Sequence, residues 1–138
     1  MPDLFELEIA TPERLLARVP ATEAQIPAAN GYLGILPGHS PLLAELGTGE
    51  MSYTAAGRTR HLVVGGGWVE VTGDRVRVLA TTAEDADEID EARAEAALKR
   101  ATERLSRPDL GVDSARALNA MRRAQARLEV KKRLRGGK

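Results

Sequence analysis

The chain has 138 residues, 43% of them apolar but only 3% aromatic, no cysteine and a formal net charge of zero. That composition excludes a disulfide-stapled fold and thiolate chemistry, and leaves Val, Leu, Ile and Ala to build the core. No apolar run approaches the ~18–20 residues that span a bilayer, and the acidic opening Met-Pro-Asp-Leu-Phe-Glu-Leu-Glu lacks a signal-peptide pattern. The zero charge conceals a polarity. Residues 1–115 carry 11 Lys and Arg against 19 Asp and Glu, whereas residues 116–138 carry 9 basic residues and one acidic one, Glu129. A basic tail on an acidic body calls for an acidic partner surface, a polyanion, or the chain's own body.

In chain order, Phe5, Leu7 and Ile9 alternate with Glu6 and Glu8, the period-two signal of a half-buried strand. Turn signals follow at Pro20, Ala28-Ala29-Asn30-Gly31, Gly47-Thr48-Gly49 and Ala56-Gly57. Residues 31–49 hold five glycines and two prolines among apolar residues, which describes a shaped, partly buried loop between strands. Gly65-Gly66-Gly67 is followed by an alternating strand and not by the Lys and helix of a phosphate-binding P-loop, so it reads as a bulge or a close backbone approach. Val69 and Val71 turn through Thr72-Gly73-Asp74 into Val76 and Val78, a hairpin. Up to about Thr82 the pattern predicts an all-β sandwich or flattened barrel.

Beyond Thr82 the period changes. A capping box at Thr82–Asp85 is expected to open a helix over about Glu84–Leu105, rich in Ala, Glu and Arg. Ser106-Arg107-Pro108-Asp109-Leu110-Gly111 breaks it, and Asp113 is the N-cap of a second helix to about Leu134. The expected seam between them is Ile89, Ala92, Ala96 and Leu105 against Leu118, Met121 and Leu128. So thin a seam makes a hairpin that is marginal alone and depends on what it packs against. The domains expected are a β-sandwich over 1–83 and an antiparallel two-helix hairpin over 84–138.

His39 and His61 are the only histidines, and with no cysteine they lack metal-ligand spacing. Nothing supplies a nucleophile for either to serve as base, so neither catalysis nor a metal site is expected. Arg93 and Arg100 lie seven apart on one helical face, Arg123 and Arg127 four apart on another. Folded antiparallel, the two helices can bring the four guanidiniums together.

Gly31 to Leu43 reads Gly-Tyr-Leu-Gly-Ile-Leu-Pro-Gly-His-Ser-Pro-Leu-Leu. It resembles the signature loop of the epsilon subunits of bacterial F-type ATP synthases (called delta in mitochondria), Gly-x-Leu-Gly-Ile-Leu-Pro-Gly-His-x-Pro-Leu-Leu. The resemblance extends over essentially the whole chain, including Gly65 to Val71. It implies a non-catalytic central-stalk rotor subunit with an N-terminal β-sandwich and a C-terminal helix-turn-helix. By the same resemblance, Tyr32, Gly38, His39 and Ser40 belong to a loop meeting the membrane c-subunit ring, and the sandwich lies against the gamma shaft. Many relatives have an acidic residue where this chain has Tyr32.

Ile89-Asp90-Glu91-Ala92-Arg93-Ala94 resembles the Ile/Leu-Asp-x-x-Arg-Ala motif of epsilon subunits that bind ATP. The implied ATP-binding set is Glu84, Ile89, Asp90, Arg93, Ala94, Arg100, Arg123 and Arg127. ATP would be a regulatory ligand, with no cofactor required. The implied inhibitory basic helix carries Arg122, Arg123, Arg127, Lys131, Lys132 and Arg133. Extended, it would enter the alpha/beta catalytic head against an acidic beta segment and suppress ATP hydrolysis. No nucleic-acid partner is expected, although a basic-tailed polyanion binder is the alternative. The implied location is the cytoplasmic face of the bacterial plasma membrane, reached only through the complex.

Overall fold

A computed structural model describes residues 3–107 and 113–137. Eight strands come first: β1 Phe5–Ala10, β2 Leu15–Ala21, β3 Glu23–Ala28, β4 Gly31–Ile35, β5 Leu42–Glu45, β6 Gly49–Ala55, β7 Arg58–Thr72 and β8 Arg75–Asp85. A 3₁₀ turn at Ala86–Glu88 leads to helix α1, Glu91–Leu105, and then α2, Ser114–Gly137. The hydrogen-bonded order is β2-β1-β8-β7-β6-β3-β4, with β5 pairing β7 beside this path. Only β1 and β8 run parallel. The β-sandwich and two-helix layout is the one expected from the sequence.

The glycine run explains how one sheet becomes two layers. Residues 58–64 of β7 pair with β6, and residues 68–71 pair with β5 instead. The change of partner falls on Gly65–Gly67, where Gly66 and Gly67 adopt φ of 70° and 105°. A side chain at Gly67 would put its Cβ 2.0 Å from the Leu79 carbonyl oxygen, so only glycine lets β7 bend there against β8. The bulge reading of this run is the correct one.

The first core lies between the layers. Leu7, Ile9, Ile26, Met51, Val64, Val69, Val71, Val76 and Val78 are fully buried in it. The alternating Phe5, Leu7 and Ile9 all point inward, as their period requires. A smaller second core of Val63, Ala86, Ile89 and Val130, flanked by Ala126 and Leu134, joins α2 to the outside of β7. Leu62 and Val63 are therefore both buried, one on each face of the same strand.

Three helical expectations need correction. Strand β8 runs on to Asp85, and α1 starts at Glu91, not Glu84. The capping box is formed by Asp85 and Glu88 around the 3₁₀ turn, in place of one at Thr82–Asp85. The hairpin seam is also rotated: Ala94 and Ala101 of α1 and Ala117 and Ala124 of α2 are buried, whereas Ala92 and Ala96 are exposed. With so many alanines, burial is set by how close the backbones pack, and hydropathy alone does not distinguish one alanine stripe from another. Asp113 caps α2 as expected, its carboxylate accepting from the Arg116 N–H at 3.1 Å. Pro108, Asp109, Leu110 and Gly111 of the expected breaker lie outside the described residues.

Candidate functional site

The hairpin is folded down on the sandwich, and charge as well as burial holds it there. Arg127 Nε donates to Glu84 Oε1 at 2.9 Å and Arg133 pairs with Glu50, while Arg135 pairs with Glu91 of α1 within the hairpin. Lys131 Nζ reaches the Ala86 carbonyl at 3.4 Å. In this state the basic helix is met by the chain's own acidic body. Each such partly exposed pair contributes roughly 0–1 kcal/mol, so the set orients α2 more than it anchors it.

Two further clamps fix the junction. Arg14 makes a forked pair with Glu88, at 2.8 and 3.1 Å, tying the turn before β2 to the 3₁₀ turn. This hydrogen bond, with a second from the Asp85 N–H, holds the Glu88 carboxyl below its usual range and raises the Arg14 guanidinium. Arg60 donates to Asp85 at 3.0 Å.

A cleft of about 360 Å³ opens where α1, α2 and the end of β8 meet. Glu84, Asp90, Arg93, Ala94, Arg100 and Arg127 line it, with Glu88 and Ala97. Six of the eight residues of the implied nucleotide set are thus brought together. Ile89 lies beneath, buried against Val130 in the second core. Arg123 lines a neighbouring cleft one helical turn away.

Local structure accounts for much of the Ile-Asp-x-x-Arg-Ala motif. Asp90 is the N-cap of α1, its carboxylate accepting from the Arg93 N–H at 3.1 Å. Ala94 is buried on the α1 seam, and Ile89 is buried between sandwich and hairpin. Arg93 and Arg100, by contrast, are exposed, and among the described residues no carboxylate is paired with either. Their donors are available to an anion in the cleft, while Arg127 is shared with Glu84.

The signature segment divides in two. Leu36–Ser40 forms a tight turn at the end of β4, where Gly38 has φ 84° and the His39 N–H donates to the Leu36 carbonyl. His39 Nδ1 lies 2.7 Å from the Ser40 carbonyl oxygen, to which the Nδ1–H tautomer donates, so the ring braces the turn. Gly38, Ser40 and Leu36 are exposed at the tip. Tyr32 stands apart on β4, where its hydroxyl donates to the Glu50 carbonyl at 2.8 Å. Partial burial and the nearby Glu50 raise its pKa. Tyr32 also lines a cleft with Arg133 of α2, which places it on the hairpin side and not at the tip.

Sequence reading missed one surface. Leu15, Ala10, Leu79 and Trp68 stand in register across β2, β1, β8 and β7 and form a row on the outer face. Leu15 is 54% exposed, Trp68 53% and Leu79 40%. The signal was available in the lone Trp and in leucines at outward strand positions, but only the strand register joins them into one patch.

Among the described residues no group of three His, Cys, Asp or Glu stands close enough to hold a metal ion. None of their helices is long and apolar enough to cross a membrane.

The architecture defines a β-sandwich carrying a two-helix hairpin folded against it, with arginines gathered at the junction. The profile described as "ATP synthase, Delta/Epsilon chain, beta-sandwich domain" matches residues 4–86, and "ATP synthase, Delta/Epsilon chain, long alpha-helix domain" matches residues 87–132. The chain belongs to this ATP synthase delta/epsilon family. It is 58% identical over 128 residues to the ATP synthase epsilon chain of Solibacter usitatus, covering 93% of this chain and 96% of that one. The epsilon chain of Nitratidesulfovibrio vulgaris is 42% identical over 127 residues, covering 92% and 95%. The fold is similar to a chain in the Euglena gracilis mitochondrial ATP synthase, with a TM-score of 0.73 at 22% identity, covering 99% of this chain and 82% of that one.

Proposed function

We propose that the chain works as the epsilon subunit of a bacterial F-type ATP synthase, a non-catalytic part of the central stalk that couples ring rotation to the catalytic head. The family and the epsilon chains it resembles support that assignment. The outer row of Leu15, Leu79 and Trp68 suits the gamma shaft, since an exposed apolar patch favours a protein partner. The turn at Gly38, His39 and Ser40 suits the c-subunit ring, while Tyr32, held on the Glu50 carbonyl, faces the hairpin instead. The subunit is held at the cytoplasmic face of the membrane through these partners.

The hairpin is the regulatory element of this reading. Docked, it leaves rotation free. Extended, α2 presents Arg122, Arg123, Arg127, Lys131, Lys132 and Arg133 to an acidic beta segment in the alpha/beta head and suppresses hydrolysis. ATP in the Arg93–Arg100–Arg127 cleft favours the docked state, because α1, α2 and Glu84 of β8 line that cleft together. Binding would exchange the Arg127–Glu84 pair for a phosphate contact and free Glu84 to accept from the base or ribose.

The observation that carries the nucleotide reading is the convergence of Arg93, Arg100 and Arg127 on one cleft at the domain junction. Calorimetric titration with ATP, with ADP as comparison, tests it. Arg93→Ala should weaken ATP binding about tenfold or more, at roughly 1.5–3 kcal/mol per charged hydrogen bond. Arg123→Ala should have a smaller effect, since Arg123 faces the adjoining cleft. Parent-like affinity in Arg93→Ala would remove ATP from this site.

A further inference from the structure

A second cleft, of about 650 Å³, lies between hairpin and sandwich. Its floor is the bend of β7 at Gly65 and Gly66, its walls are Thr48, Thr81 and Thr82, and its roof is Arg122 and Arg123 of α2. The side chains converge. The point where a Cβ on Gly65 would stand lies 3.1 Å from Thr82 Oγ1, 3.3 Å from Thr48 Oγ1 and 3.6 Å from Arg123 Cδ. Thr81 Oγ1 lies 3.0 Å from the corresponding point on Gly66.

The charge of the cleft is one-sided. Farther along α2, Arg127 and Arg133 are each paired with a carboxylate of the body, and Arg135 with Glu91 of α1. No such pair engages Arg122 or Arg123 among the described residues, so two guanidiniums line the same cleft as Thr48, Thr81 and Thr82, the Thr82 hydroxyl already donating to the Gly65 carbonyl at 3.4 Å. Glu45 is the one acidic residue among those lining the cleft, where the two arginines outnumber it. Fixed positive charge plus short hydroxyl donors around a glycine floor is the chemistry of a small tetrahedral oxyanion.

We propose that this cleft binds inorganic phosphate and that the bound anion holds α2 against the sandwich. Arg122 and Arg123 belong to the hairpin, while the threonines and glycines belong to the body, so the site is complete only when the hairpin is docked. A ligand that contacts both parts binds the docked state alone and stabilises it. The proposal needs the docked hairpin but not the nucleotide cleft: Arg93 and Arg100 do not line this one.

The test is titration of the full chain with sodium phosphate by calorimetry in about 0.2 M chloride, which screens loose surface attraction. Saturable binding is expected in the parent. It should weaken about tenfold or more in Arg122→Gln, recover in part in Arg122→Lys, and persist in Arg93→Gln. Arg122 is exposed, so its replacement leaves the fold intact. A second readout follows docking. The chain has no cysteine, and Ala86→Cys places a sole thiol beneath α2, where residue 86 is buried. Phosphate at a hundred times its dissociation constant should slow labelling of that thiol about a hundredfold.

Absence of saturable phosphate binding overturns the proposal, as does parent affinity in Arg122→Gln. Loss of phosphate binding in Arg93→Gln overturns it too, since the anion would then occupy the nucleotide cleft. Unchanged thiol labelling overturns the bridging role. Failure of the nucleotide reading registers separately, as a parent that takes up phosphate but not ATP.

Discussion

Val130→Ala probes how the hairpin is held. Val130 is 2% exposed and is the α2 side chain that fills the second core, against Val63, Ala86 and Ile89. The change removes two methyl groups, worth ~0.8 kcal/mol each in transfer, and leaves a small cavity with a further cost of a few tenths, for a total of about 1.5–2 kcal/mol. The first core does not contain Val130, so the loss falls on docking and not on the sandwich. At 1.4 kcal/mol per factor of ten, the open population rises roughly tenfold to thirtyfold. Labelling of the Ala86→Cys thiol reads that ratio directly even when the open form is rare, because the rate under fast reclosing is proportional to the opening constant. Thermal unfolding of the β signal should stay within about a degree or two of the parent. A labelling rate changed less than twofold would refute the reasoning, and would mean that the ion pairs rather than this core hold the hairpin down.

The β7 bend gives a second test. Gly67→Ala should cost at least ~3 kcal/mol in chemical unfolding, since its Cβ meets the Leu79 carbonyl at 2.0 Å and φ is 105°. Gly57→Ala, with φ 75° and open space around it, should cost only about 1 kcal/mol. Equal costs would show that β7 bends elsewhere. The Arg14–Glu88 clamp gives a pH dependence. Glu88's folded pKa lies below its unfolded value near 4.5, so its contribution is fully present above that value and is lost as pH falls through the lowered one. The stability difference between parent and Glu88→Gln, followed by denaturant unfolding from pH 7 to pH 3, should therefore shrink on the acid side. A difference that stays constant or grows would contradict the assignment of the shift to Arg14.

The sandwich was legible because its signals are local. Alternation at Phe5, Leu7 and Ile9 survives into the structure residue by residue, and the turn at Gly73 is where the sequence puts it. The start of α1 was misplaced because Thr82–Asp85 satisfies two rules at once. Thr82 and Asp85 fit a capping box, but the same residues continue the ladder of β8 opposite Leu62 to Gly65. Sheet pairing won, since an isolated cap cannot offset four ladder positions. In the Ile-Asp-x-x-Arg-Ala segment Asp90 caps a helix and Ile89 and Ala94 fill cores, duties that spacing alone does not separate from ligand contact.

The outward apolar row and the phosphate cleft were invisible for a common reason. Each is assembled from residues far apart in sequence, which only register and docking bring together. The same assembly gives the hairpin its bias. Glu50, Glu84 and Glu91 neutralise three cations of α2 in the docked state, while Arg122 and Arg123 are left to a mobile anion. Any acidic surface that draws α2 away must replace those three pairs and cover the apolar face of Val130. In the docked state only small terms hold α2: a second core of a few side chains and a few partly exposed ion pairs. Because no single interaction in this docking is large, a ligand with even modest preference for the docked state can shift its population.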